Sequence, residues 1–119
     1  MARQNPNAIK SYLEKPYIVG LSGPYMNSKF DFPADSRIVF GRDEATCHIV
    51  FDQFQTAVSH QHCTVTYIKN LDMYSVRDIS KNGTYINSME NRMPSNVEQM
   101  QPRGTVIYIG SARNAFKLM

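Results

Sequence analysis

Between residues 17 and 118 the chain is cut into short, β-prone apolar runs spaced about 8–12 residues apart, with no 3.6-residue apolar period anywhere. Clusters of Gly, Pro, Asn and Asp punctuate the runs. That rhythm points to an all-β, single-domain sandwich. Tyr17-Ile18-Val19-Gly20-Leu21 reads as a buried strand, broken by Ser22-Gly23-Pro24. Lys29-Phe30-Asp31-Phe32 alternates like a half-exposed strand, Pro33-Ala34-Asp35-Ser36 turns the chain, and Arg37-Ile38-Val39-Phe40 and His48-Ile49-Val50-Phe51 follow. From Gln61, Cys63, Val65 and Tyr67 point one way while His62, Thr64, Thr66 and Ile68 point the other. Asn70-Leu71-Asp72 makes a hairpin turn into Met73-Tyr74-Ser75-Val76-Arg77. Thr84-Tyr85-Ile86 is a short strand, and residues 87–96 are a polar connection containing Pro94. Thr105-Val106-Ile107-Tyr108-Ile109 and Ala115-Phe116-Lys117-Leu118, separated by Gly110-Ser111, close the domain. Residues 1–15, with only Ile9, Tyr12 and Leu13 as apolar anchors, read as a flexible N-terminal arm, leaving 16–119 as the domain.

A chain of 119 residues, 42% hydrophobic and 19% charged, is long enough for one real core and too apolar to be disordered. A formal charge of +3 allows an anionic ligand. Without a Lys/Arg block or basic helix it does not favour nucleic acid, whose binding would fall steeply with salt. No apolar run approaches the roughly 18 residues of a membrane span, and no signal-peptide core is visible, so a cytoplasmic protein with no membrane insertion is expected. Cys47 and Cys63 suit two small core hydrophobes in a reducing compartment. A metal site built from Cys47, His48, His60, His62 and Cys63 lacks ligand spacing, because alternation puts His60 and His62 on one face and Cys63 on the other. No metal or cofactor is expected. Nor is catalysis, since Ser59 lacks a Gly-x-Ser-x-Gly elbow.

Three polar islands lie between the runs: Gly41-Arg42, Ser59-His60-Gln61-His62, and Asp78-Ile79-Ser80-Lys81-Asn82-Gly83-Thr84. If the runs are strands of one small sandwich, these loops can meet at one end. They would then present a guanidinium, a hydroxyl, imidazoles, an ammonium and an amide to one ligand. Such donors suit an oxyanion, and Arg suits it best because its planar fork bonds two oxygens and keeps its charge. Taken singly, Asn82-Gly83 is also a good hairpin turn, Ser59 a turn cap, His62 a structural histidine and Lys81 a solvated loop lysine.

Gly41-Arg42, Ser59-x-x-His62, Asp78 through Thr84 with Asn87, and Gly104 to Gly110 before a last strand, taken in that order, resemble a forkhead-associated (FHA) domain over residues 16–119. The resemblance implies an eleven-strand β-sandwich that binds phosphothreonine peptides with loops at one end. Arg42 and Ser59 would then contact the phosphate, and Asn82 would hold the peptide backbone. Gly41 and Gly83 would shape the loops with Thr84 beside them, and His62 would brace them from inside. His60 and Lys81 stand where the family often has other residues, and both are expected at the phosphate or its rim. The implied partner is a protein phosphorylated on threonine by an upstream Ser/Thr kinase. An FHA fold used for phosphate-independent protein contact is the alternative.

Overall fold

The computed structural model describes residues 15–32 and 36–119. The arm expected over residues 1–15 lies, Lys15 apart, outside the described residues, as do Pro33, Ala34 and Asp35 of the expected turn. Among the described residues ten strands form two five-stranded sheets. The first sheet contains β1 (Tyr17–Gly20), β2 (Lys29–Asp31), β7 (Thr84–Ile86), β9 (Val106–Ile109) and β10 (Ala115–Leu118), in the order β2-β1-β10-β9-β7. The second contains β3 (Arg37–Gly41), β4 (Ile49–Val50), β5 (Cys63–Ile68), β6 (Met73–Asp78) and β8 (Gln99–Pro102), in the order β4-β3-β5-β6-β8. Every strand pair is antiparallel except β3 with β4. The described residues contain no α-helix, only one-turn 3-10 segments at Gly23–Tyr25 and Lys69–Leu71.

The core follows from alternation. Ile18, Ile38 and Phe40, Cys63 and Val65, Tyr74 and Val76, Ile107 and Ile109, and Phe116 and Leu118 are all buried between the sheets. At its centre the Phe116 ring meets Phe40 edge-on at 5.0 Å and Phe51 at 6.1 Å. These are the separations at which aromatic quadrupoles attract.

Register brings the three polar islands together. β3 pairs with β5 so that Phe40 faces Cys63, and β5 pairs with β6 so that Cys63 faces Asp78. The end of β3, the start of β5 and the end of β6 therefore lie side by side. From that corner the chain leaves Asp78, turns, and enters β7 of the other sheet at Thr84, which faces Ile109 on β9.

Two expectations need correction, and two features go beyond the expectations. β1 is a half-buried strand, with Tyr17 and Val19 partly exposed and Leu21 exposed, because only one face of its sheet packs on the core. His62 does not share an outward face with Thr64: β5 starts at Cys63, and His62 turns inward from the preceding loop to become fully buried. Strand β8, Gln-Met-Gln-Pro, carries no strand signal; it forms because β6 offers a free edge, and Pro102 is tolerated at such an edge. The connection over 87–96 is polar but hugs the sandwich, with Met93 buried and bridges pairing Tyr85 with Arg92 and Asp78 with Ser95. The turn at 70–72 is as expected, closed by Asp72 in the left-handed region at φ 49°.

Candidate functional site

The turn from Asp78 to Thr84 is built on a fully buried carboxylate. Oδ1 of Asp78 accepts from the Ser80 N–H at 3.1 Å, the Ser80 hydroxyl at 2.5 Å and the Thr84 hydroxyl at 2.9 Å. Ser80 Oγ in turn accepts from the Gly83 N–H at 2.8 Å. This is the Asx-turn logic of aspartate, used here to curl a whole loop. Gly83 sits at φ 100°, a region that side chains disfavour, and a Cβ there would lie 2.6 Å from Nε of Arg92.

His62 joins this turn to the Ser59 loop. Its Nδ1 accepts from the Ser59 N–H at 3.0 Å, so the ring proton is on Nε2, which donates to the Gly83 carbonyl at 2.8 Å. Burial holds the imidazole below its ordinary pKa of 6.5, and the bond to Gly83 opposes that only in part. A neutral ring is what the arrangement needs, because an imidazolium has no acceptor for the Ser59 amide. The Ser59 hydroxyl accepts from the Lys81 N–H at 3.0 Å. No acceptor among the described residues takes the hydroxyl's own proton.

Arg42 is fixed from the opposite side. Its Nε donates to the Val58 carbonyl at 2.5 Å, and Nη1 donates to the Gln53 carbonyl at 3.1 Å and to Gln53 Oε1 at 3.4 Å. Gln53 Nε2 returns a bond to the Arg42 carbonyl at 2.7 Å. Nη2 has no hydrogen-bond partner among the described residues. Backbone bonds from the Arg42 N–H to Ser59 and from the Asp43 N–H to His60 lock the two loops together. They close so tightly at Gly41 that a Cβ would lie 2.1 Å from the His60 carbonyl oxygen. Asn82 completes the ring: its amide donates to Ala57 O at 3.2 Å and Thr56 O at 3.5 Å, and its Oδ1 has no hydrogen-bond partner among the described residues.

Residues 38–110 match the family model of the FHA domain, which is more than half of the chain. The chain belongs to the FHA family. Solved FHA structures superpose on 88–95% of it. The FHA domain of CT664 protein from Chlamydia trachomatis does so with a TM-score of 0.73, at 19% identity over 89% of this chain and 97% of that one. The MEK1 FHA domain in complex with a HOP1 phosphothreonine peptide gives 0.69, at 17% identity over 90% and 97%. The N-terminal FHA domain of S. cerevisiae Rad53p in complex with a phosphothreonine peptide gives 0.67, at 21% identity over 88% and 90%. No curated protein sequence matches the chain.

In this FHA domain Arg42, Ser59, Lys81 and Asn82 share the loop end, with Gly41, His62, Gly83 and Thr84 beneath or between them. His60 is the outlier. Its carbonyl accepts from the Asp43 N–H and the Cys47 thiol, but its exposed ring has no hydrogen bond among the described residues to tie it to Arg42 or Ser59. Asn87, at φ 60°, ties its turn to β9: its Oδ1 accepts from the Val106 N–H at 2.9 Å. Cys63 lies in the core and Cys47 packs beneath Gly41, and burial raises the pKa of both thiols. No cluster of three or more His, Cys, Asp or Glu side chains among the described residues is arranged to hold a metal.

Sequence reasoning missed three contributors. Gln53 clamps Arg42, yet nothing in a polar loop marks a clamping glutamine. Arg92 lies over Gly83 and donates to the Lys81 carbonyl at 3.1 Å; only the fold of 87–98 brings it there. Asp78 was inside a recognised island, and its place two residues before a serine was the available signal for a loop-building aspartate.

Proposed function

We propose that the loop end of this FHA domain binds protein segments that carry phosphothreonine, and that the domain acts as a binding module without catalysis of its own. The observation that carries the reading is the pre-set donor pair: Arg42 held by Val58 and Gln53 with Nη2 left over, and Ser59 held by Lys81 with its proton left over. A phosphate dianion needs several convergent donors, and donors already fixed lose little entropy on binding. Lys81, and Arg92 behind it, add positive charge. Asn82 offers an amide, which suits the N–H and C=O of an extended peptide. That two superposable FHA structures hold phosphothreonine peptides supports the same reading.

The ligand would come from a Ser/Thr kinase substrate, and a kinase-containing compartment such as the cytoplasm suits that reading. Among the described residues no helix is long and apolar enough to cross a membrane. A phosphate-independent contact has one feature in its favour. A depression of about 680 Å³ on the outer face of β3, β5 and β6 is lined by Arg37, Thr64, Thr66, Ser75 and Arg77 and does not include Arg42, Ser59 or Asn82.

The test is titration of matched threonine and phosphothreonine peptide libraries against the parent and Arg42→Ala. Each charge-assisted bond contributes about 1.5–3 kcal/mol, so the variant should lose roughly 10- to 150-fold in affinity for phosphopeptides. Equal capture of both libraries by the parent would reject the reading in favour of the outer face.

A further inference from the structure

Outward side chains of an antiparallel sandwich sheet usually stand in water. On β3 and β6 two of them do not. Ile38 and Phe40 point into the core, so Val39 points out, yet it is only 7% exposed. Ser75, outward between the core residues Tyr74 and Val76, is only 5% exposed. These two form the floor of the depression on this face, and the exposed Arg37 and Arg77 form its rim. Neither guanidinium has a hydrogen bond or an ion pair among the described residues. The side chains of Thr64 and Thr66, on β5 between them, and of Gln61 just before β5, have no hydrogen-bond partner there either. One acid lines the depression. Glu98 precedes β8, and register sets it beside Arg77, but its carboxylate accepts from the Ser75 hydroxyl instead. Two unpaired guanidinia and three unpaired polar side chains thus open on one recess.

We infer that this recess is a second binding site, separate from the loop end, for an unphosphorylated acidic segment of a partner protein, whose Asp or Glu side chains pair with Arg37 and Arg77. Two inter-strand spacings separate β3 from β6, about 10 Å, so carboxylates roughly two to four positions apart in an extended chain reach both guanidinia. Each guanidinium fork can bond a carboxylate through two hydrogen bonds at once. The threonine hydroxyls and the Gln61 amide can donate to carbonyls of the segment's backbone. A nucleic acid fits worse, because its repeating phosphates call for a row of cations, and this recess has two with Glu98 against them. The site stands independently of the phosphothreonine reading, since none of Arg42, Ser59 and Asn82 lines it.

The experiment titrates fluorescent unphosphorylated peptides that carry paired Asp or Glu residues at those spacings, and the same peptides with Asn or Gln in their place. The proteins are the parent, Arg37→Gln, Arg77→Gln, Glu98→Gln and Arg42→Ala. The parent should bind at least one acidic peptide and none of the amide versions. Arg37→Gln and Arg77→Gln should each weaken that binding about fivefold, and Glu98→Gln should tighten it about threefold by removing the one repelling charge. Both arginines are exposed, so their variants should melt with the parent, and a gain in Glu98→Gln cannot come from a damaged fold. Arg42→Ala should hold the acidic peptide as the parent does while losing phosphothreonine peptides, so that the two sites fail separately. Acidic and amide peptides bound alike, no acidic peptide bound by the parent, or affinity unchanged in both arginine variants would overturn the inference. So would loss of the acidic peptide in Arg42→Ala, which would assign it to the loop end, or a single-stranded DNA oligonucleotide bound more tightly than every acidic peptide.

Discussion

At the scale of single residues, His62 turns the site into something pH can loosen. The ring is neutral in the folded protein and held there by burial, whereas in the unfolded chain it takes up a proton near its ordinary pKa of 6.5. Protons therefore favour the unfolded state. The contribution of the neutral ring is complete above about pH 6.5 and is lost as pH falls through the lower folded value. Thermal melts of the parent should show a falling midpoint below about pH 6.5, and in His62→Gln that limb should flatten. A limb of equal slope in both proteins would assign the acid sensitivity elsewhere. The same residue shows where sequence reasoning succeeds and where it stops. Its bracing role is what the family resemblance implies, and a hydrogen-bonded structural histidine is also the plain reading of the residue alone. Its inward direction was not legible, because alternation extrapolated from Cys63 places it outside, and only the loop preceding β5 reverses it.

At the scale of elements, strands were legible where alternation is strong, as in β5 and β6, and where β-branched and aromatic residues cluster, as in β9 and β10. β8 was not, because a Gln-rich edge strand is made by its neighbour rather than by its own propensity. The loops were legible as loops, but their internal wiring was not, since Gln53 to Arg42 and Asp78 to Ser80 and Thr84 are choices among many equivalent polar residues. Gln53 gives that wiring a test. Gln53→Ala removes two bonds between exposed side-chain groups and the site arginine and leaves the core untouched. Affinity for a phosphothreonine peptide should fall about fivefold, equivalent to about 1 kcal/mol, with the chemical-denaturation midpoint unchanged. Isothermal titration of parent and variant measures the first and a denaturant melt the second. Parent-like affinity would mean that the Val58 and Gln53 carbonyls hold Arg42 without help from the Gln53 side chain.

At the scale of the whole molecule, the sandwich turns a scatter of polar residues into one end-face. Arg42 and Gly83 are far apart in sequence, yet their loops leave β3 and β6 of one sheet, and the register Phe40 to Cys63 to Asp78 brings them to the same end. The core that enforces this is continuous from Ile18 to Leu118, so the loop end inherits its rigidity from packing it does not touch. One bond carries that connection beyond the loops assigned to ligand. The Gly83 carbonyl, besides taking the His62 ring, accepts from the N–H of Gly110 at 3.1 Å, at the far end of β9. Any ligand that steadies the Ser59 and Asn82 loops must steady that amide as well. Gly110 is therefore a built-in reporter: its hydrogen–deuterium exchange should slow when a phosphothreonine peptide saturates the domain and quicken in His62→Gln, so that occupancy is read at an amide bonded to the residue after Asn82.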